Sequence, residues 1–503
     1  MLFNSYDFML FFPIVIAVYF IIPKKVRYIW LLITSYYFYM GWNPQYAILI
    51  AISTVITYFS GVLIDRYNQR AGSPRHTWGG YKKWVVAGSF VTNIGILIFF
   101  KYFDFLLGNF NSILSAVGIT AVEKPFDVIL PVGISFYTFQ ALSYTMDVYR
   151  GDIKAEKNIL RYALFVSFFP QLVAGPIERS KNLLIQVNEV EKINVWEYSR
   201  IAEGGILMLW GMFQKMVIAD RVAIVVDQVY DSYWMYGSIE LILATVLFAV
   251  QIYCDFASYS LIAIGAAKVM GFSLMENFNT PYFARSVQEF WKRWHISLST
   301  WFRDYLYIPL GGNRCSKAKK YRNVMITFLV SGLWHGASWS FITWGGLHGF
   351  YQIVGAVLKP WKEKMIDRFQ IKSKSFSYKL GQVLVTFILV DFAWIFFRMN
   401  SLKYSLEFIH RIFSKWNPWV LFDQSLYNLG LNQSEVHILF FSIIILFLID
   451  LIRYKKSITL DIFLREQCLW FRWGAIFILL FYIIIFGIYG PAFEAKQFIY
   501  FQF

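Results

Sequence analysis

Gln45-Tyr-Ala-Ile-Leu-Ile-Ala-Ile-Ser-Thr-Val-Ile-Thr-Tyr-Phe-Ser-Gly-Val-Leu-Ile64 runs without a single charged side chain. A helix of roughly 20 residues rises about 30 Å, the thickness of a bilayer's hydrocarbon core. Further stretches read the same way: Phe8–Ile22, Tyr28–Trp42, Trp84–Leu107, Phe126–Tyr149, Glu203–Asp220, Ile239–Ser258, Asn323–Phe341, Ile342–Leu358, Leu380–Phe397, His437–Ile452 and Trp473–Gly490. The composition agrees. Of 503 residues, 58% are hydrophobic and 16% charged, where a soluble domain carries about 25% charged residues. The expected fold is an all-α polytopic membrane protein of about 11–12 transmembrane helices, one domain over residues 1–503 embedded in the lipid bilayer.

The net charge of +16 would suggest nucleic acid in a soluble domain, but here the position of the charge matters more than its sum, and no nucleic-acid partner is expected. With the N-terminus outside, the inner segments are 23–27, 65–83, 150–202, 285–322, 359–379 and 453–472. Together they hold 37 of the 47 lysines and arginines. Cytoplasmic loops carry such an excess, so both termini are expected outside. Residues 1–7 lack a basic n-region and a cleavage site, so Phe8–Ile22 reads as a retained span. Cys254, Cys315 and Cys468 are too scattered for a disulfide framework or a metal motif.

Two inner stretches are too apolar for ordinary loops. Tyr162–Ile177 is interrupted by Pro170 and by Gly175-Pro176, and Thr280–Gly312 mixes aromatics, arginines and Pro309. Both read as re-entrant or interfacial pieces. Broken backbone at that depth is tolerated only inside protein or beside a water-filled cavity.

Of six histidines, His76, His410 and His437 fall in loops or at a span end. His335 does not. In Ser331-Gly-Leu-Trp-His-Gly-Ala-Ser-Trp339 it lies deep within a span, where an ionisable group marks a functional site. Gly332 and Gly336 would let a ligand or another backbone approach. His295 sits in Trp291-Lys-Arg-Trp-His-Ile-Ser297, which continues to Arg303 and Asp304. A basic aromatic belt accounts for the Trp, Lys and Arg there, but not for the interleaved Ser, His and Asp. His348, thirteen residues beyond His335, would lie about 20 Å away on a continuous helix, so the two could not share one proton unless the chain folds back, and packing or support is the role expected for His348. No nucleophile elbow, phosphate-binding loop or metal-ligand spacing occurs.

Several strings resemble, in order, the bacterial alginate O-acetylation branch of the membrane-bound O-acyltransferase (MBOAT) family. They are Leu130-Pro-Val-Gly-Ile-Ser-Phe-Tyr-Thr-Phe139, Met146–Gly151, Phe168–Ile177, Tyr253-Cys-Asp-Phe-Ala-Ser-Tyr259, Phe290–Ser299, Trp301–Gly312, the His335 segment and Trp394–Arg398. The resemblance implies a helical ring around a tunnel, with His335 at the family's invariant histidine and His295 at its second polar position. It implies a cytoplasmic acyl thioester donor, acetyl-CoA or an acyl carrier protein, with no bound cofactor. An extracytoplasmic SGNH-type acyltransferase is the implied partner. Lys292, Arg293, Ser297, Arg303, Asp304 and Trp334 are then candidates for donor binding or tunnel lining.

The C-terminus, residues 498–503, is an aromatic tail expected outside. An interfacial anchor explains it, as does an acyl relay at Tyr500, for which the resemblance argues. D-alanyl transfer to teichoic acid, as in another branch, and a transporter without acyltransferase chemistry stand as alternatives.

The topology has a direct check. Cysteines at Asn111 and Asn417 should react with an impermeant maleimide in intact cells, and one at Ser73 should not. Labelling at position 73 alone would invert the orientation.

Overall fold

The computed structural model describes residues 1–70, 79–125, 130–172, 175–399, 401–489 and 498–499. Among them the regular structure is helical, without a strand: α1 Tyr6–Ile21, α2 Arg27–Met40, α3 Tyr46–Arg70, α4 Gly79–Ala116, α5 Ile134–Arg150, α6 Ile159–Ser167, α7 Phe169–Leu172, α8 Ile185–Asn188, α9 Tyr198–Phe213 and α10 Asp220–Asp231. There follow α11 Ser238–Met270, α12 Val287–Arg293, α13 Ile296–Phe302, α14 Lys317–His335, α15 Trp339–Arg368, α16 Phe376–Arg398, α17 Leu402–Ser414, α18 Gln433–Lys456, α19 Leu460–Arg465 and α20 Leu469–Phe486.

Among the described residues six helices are long and apolar enough to cross a membrane: Tyr46–Gln69, Gly80–Ala116, Ser238–Met270, Phe376–Arg398, Gln433–Lys456 and Leu469–Phe486. The protein is therefore an all-α, multi-pass membrane protein. The chain divides into two compact units, residues 1–205 with 262–275, and residues 206–261 with 276–503.

In the first unit the expected break in Tyr162–Ile177 falls at Phe168, between α6 and α7. A broken helix leaves backbone groups that lipid cannot satisfy, and side chains take them up. The Phe169 N–H donates to Ser35 Oγ (3.1 Å), while Gln140 and Gln171 both donate to Phe165 O (2.6 and 2.8 Å). The C-terminus of α11 receives the same treatment. Tyr19 donates to Met270 O, and Arg200 donates to Lys268 O and Val269 O, each at 3.0 Å.

In the second unit, one expectation about the spans is corrected. The boundary between Asn323–Phe341 and Ile342–Leu358 lies earlier, at Gly336–Ser338. There α14 stops, and Ser338 caps α15 by accepting from the Phe341 N–H. The two helices fold back on each other with their backbones in contact. A Cβ on Gly332 would fall 2.3 Å from Phe341 O, and one on Gly345 would fall 2.2 Å from Phe328 O. The chain thus does fold back, and His348 returns towards His335. A second irregularity is the π-helical turn Gln214–Ala219 between α9 and α10, which interrupts the expected span Glu203–Asp220. Its i→i+5 spacing sets Lys215 beside Asp220 (2.9 Å), and Asp255 of α11 closes on the same ammonium at 2.5 Å. All three side chains are buried.

The fold also bears on the probes for topology. Asn417 is buried, donating to Glu240 and accepting from the Ile239 N–H, so Ser414, exposed at the end of α17, is the better cysteine site. Ser73 lies outside the described residues.

The helix contact predicts a contrast within α15. Gly345→Ala should destabilise the detergent-solubilised protein by about 1–3 kcal/mol, because the backbone opposite cannot yield. Gly355→Ala meets open space and should be neutral or stabilise by up to ~1 kcal/mol. Thermal unfolding of the two variants side by side is the measurement. Equal midpoints would remove the close approach.

Candidate active site

All the side chains in this section belong to the second unit. His335 is the last residue of α14, 3% exposed, and its ring is packed among aromatic rings. Centroids of Trp334, Trp344 and Phe397 lie at 4.9, 5.0 and 5.4 Å, and that of His295 at 6.4 Å. Trp344 comes from the first turns of α15 and Phe397 from the end of α16, so three helices converge on one imidazole. The His348 ring also lies 5.0 Å from Trp344. It accepts from Trp291 Nε1 at 3.2 Å. Its Nδ1 is then the bare nitrogen and its proton sits on Nε2.

His295 is held differently. It is the N-cap of α13 with φ +43°, a left-handed conformation that costs a non-glycine residue about 1–3 kcal/mol. Backbone bonds on both sides hold it there. Ile296 N–H donates to Asn277 O and Asn279 N–H to Arg293 O, each at 2.9 Å. The side chain of Asn277 completes the setting. It donates to Ser260 Oγ (2.8 Å), and its Oδ1 accepts from the Ser297 hydroxyl (2.6 Å) and the Ser297 N–H (3.4 Å). Because a backbone N–H can only donate, the atom facing Ser297 must be the amide oxygen. His295 Nδ1 approaches that same oxygen at 3.4 Å, so Nδ1 carries the proton. In neutral His295 the lone pair is therefore on Nε2. Phe256 of α11 stands edge-on to the ring at 4.6 Å.

The structure brings His295, His335, Trp334 and Ser297 together, and turns the charged candidates elsewhere. Lys292 is exposed, whereas its neighbours Trp291 and Trp294 are buried. Arg293 is engaged by Glu289 (3.0 Å), by Asn279 O and by Thr280 Oγ1. Arg303 pairs with Asp304 at 2.7 Å, and this hydrogen bond raises the guanidinium's pKa above its ordinary value. Tyr500 lies outside the described residues. The two residues before it, Phe498 and Ile499, are buried at 1% and 4% exposure, not spread at an interface. Asn277, Trp344 and Phe397 are the neighbours that sequence reasoning did not single out. Asn277 lies 18 residues before His295. Trp344 is nine residues after His335 and four before His348 on α15, a helical spacing that could have drawn notice, and Phe397 falls within the Trp394–Arg398 string.

Residues 154–401 match the model of MBOAT, the membrane-bound O-acyltransferase family. The chain is 36% identical over 440 residues to the probable alginate O-acetylase AlgI of Pseudomonas aeruginosa, covering 85% of this chain and 78% of that protein. It is 35% identical over 442 residues to the peptidoglycan O-acetyltransferase of Helicobacter pylori (81% and 79% covered). With the teichoic acid D-alanyltransferase of Bacillus subtilis it shares 28% over 261 residues (48% and 63%).

The Asn277 network makes a spectroscopic prediction. In ¹⁵N-histidine NMR of the solubilised protein, His295 should appear as the Nδ1–H tautomer. Asn277→Ala should abolish that signature and lower stability by about 1–3 kcal/mol, the cost of stranding buried donors. An Nε2–H tautomer in the parent protein would overturn the assignment.

Proposed function

Since the chain belongs to the membrane-bound O-acyltransferase family and is an O-acyltransferase, we propose that it moves an acetyl group from a cytoplasmic thioester to a cell-envelope or secreted polysaccharide. The donor is acetyl-CoA or an acylated carrier protein. The membrane is the bacterial cytoplasmic membrane, with both termini outside. The observation that carries this reading is the pair His335 and His295, 6.4 Å apart by ring centroid in one buried aromatic layer. The extent of likeness to two O-acetyl-transferring relatives supports acetyl over D-alanyl.

A hydroxyl must lose its proton as it attacks a thioester carbonyl, and a neutral imidazole with an ordinary pKa of about 6.5 suits that base. His335 takes the hydroxyl proton while the oxygen bonds to the acyl carbon. The tetrahedral intermediate then expels the thiolate, which recovers the proton. With its own proton on Nδ1, neutral His295 can only accept through Nε2. That argues against a role in stabilising the oxyanion, and because the hydroxyl's single proton goes to His335, His295 acts by shaping the site beside the base. A donor for the oxyanion is at hand in Trp344, whose buried Nε1–H has no partner among the described residues.

The hydroxyl that attacks first is that of Tyr500. Its phenyl ester, with a leaving group of pKa near 10, passes the acetyl on to the polymer far more readily than an alkyl ester would. An SGNH-type acyltransferase outside the membrane completes the transfer.

His335→Ala should lower acyl transfer by about 10²–10⁴-fold, the usual worth of a general base, in protein of normal thermal stability. His295→Ala should cost less. Tyr500→Phe should stop polymer acetylation while thioester hydrolysis continues. Wild-type transfer in the His335 variant would end the base assignment, and normal polymer acetylation with Tyr500→Phe would end the relay. Feeding cells labelled acetate or labelled D-alanine identifies the ester made.

A further inference from the structure

Beyond α20 the chain is tied twice to the same place in the second unit. The Ile488 N–H donates to Met216 O at 2.9 Å. Eleven residues later the Ile499 N–H donates to Asp255 Oδ2 at 2.8 Å. Met216 and Lys215 are neighbours in the π turn, and Lys215 holds the other carboxylate oxygen of Asp255 at 2.5 Å. Asp255 therefore spans an ammonium on one side and the main chain of the C-terminal segment on the other.

The charge balance gives this arrangement a purpose. Lys215 and Asp220 already form a neutral pair at 2.9 Å within one π turn. Asp255 adds a second buried carboxylate, and a charge inside a span is costly unless it does something. What it does here is fix a main-chain N–H by a charge-assisted bond. The residue so fixed lies close to the histidines. The Phe498 ring packs 5.1 Å from Tyr259 and 5.5 Å from Phe256, and Phe256 is the ring that stands edge-on to His295 at 4.6 Å. A tail acting as an interfacial anchor would put Phe498 and Ile499 in the interface, whereas both are buried.

We infer that Asp255, oriented by Lys215, is a positioning residue that docks Phe498 and Ile499 beside the His295–His335 layer. This deepens the relay reading and rests on it only for what the docked residues serve in acyl transfer. The docking itself stands on Phe498 and Ile499.

Maleimide labelling of the full-length protein in detergent tests the docking. Ile499→Cys keeps the backbone N–H, Cys315→Ser removes the half-buried thiol, exposed Cys468 serves as the reference, and Cys254 is buried. Labelling is read peptide by peptide. Cys at position 499 should react far more slowly than Cys468. Asp255→Ala should speed it about ten- to a hundredfold, as loss of one charge-assisted hydrogen bond implies. Asp255→Asn keeps an oxygen acceptor without the charge and should be intermediate. If the alanine variant is not monodisperse, the asparagine variant carries the test. Unchanged slow labelling in both variants, or fast labelling in the parent, overturns the docking.

The positioning role has its own readout in the same variants. Polymer acetylation should fall more than thioester hydrolysis does, and an equal fall in both overturns that role. Full acetylation with Tyr500→Phe, combined with slow labelling at position 499, would remove the relay and leave the docking supported.

Discussion

Two helix backbones touching at glycine set the geometry of the candidate site. Where Gly332 faces Phe341 O and Gly345 faces Phe328 O, no side chain separates α14 from α15. The turn between them is therefore short and the antiparallel register fixed. That register delivers Trp344 to His335 and brings His348 to the same indole. Interiors packed at crystal-like density transmit such a constraint to whatever lies against them. Here that means Phe397 and Trp394 of α16, and through Trp291 and Trp294 the segment that carries His295. The aromatic wealth of the sequence thus goes, in this unit, into a packed wall around His295, His335 and His348.

A second constraint acts throughout. Backbone polar groups cannot be left to lipid, so every interruption of a helix must be repaired from within. Ser35, Gln140 and Gln171 repair the α6–α7 break, and Tyr19 and Arg200 cap α11. Asn277 does the same for the His295 turn while also choosing the histidine's tautomer. One amide side chain therefore links fold repair to chemistry. This is why a polar residue of no obvious catalytic type sits at the centre of the site.

How much of this was legible in the sequence follows from the range of each signal. Spans are local and composition-driven, and uninterrupted apolar runs such as residues 45–64 announce themselves. His335 was legible because an imidazole in an apolar run is conspicuous wherever the run ends. The break at 336–338 was misplaced by a few residues, although Ser338 is an ordinary N-cap, because apolar residues continue on both sides of it. Asn277 and Asp255 were not singled out, since their partners lie 18–40 residues away in sequence or at the far end of the chain. The motif alone could not say which of its residues face inward: consecutive residues of a helix point about 100° apart, so Lys292 is exposed while Trp291 and Trp294 are buried.

The π turn at Gln214–Ala219 has one more consequence, for how this chain can change length. Such a turn is an α-helix that has absorbed one surplus residue. Excising that residue would restore regular α geometry and swing one flank about 100° against the other, carrying Lys215 off both of its carboxylates. Because Met216 and Val217 are also bound by the end of α20 and by Arg221, neither flank is free to follow. The surplus residue is thereby locked in. Single-codon deletions should be purged from this stretch even where they leave every side chain identity intact, while the exposed connection around Asp423 tolerates them.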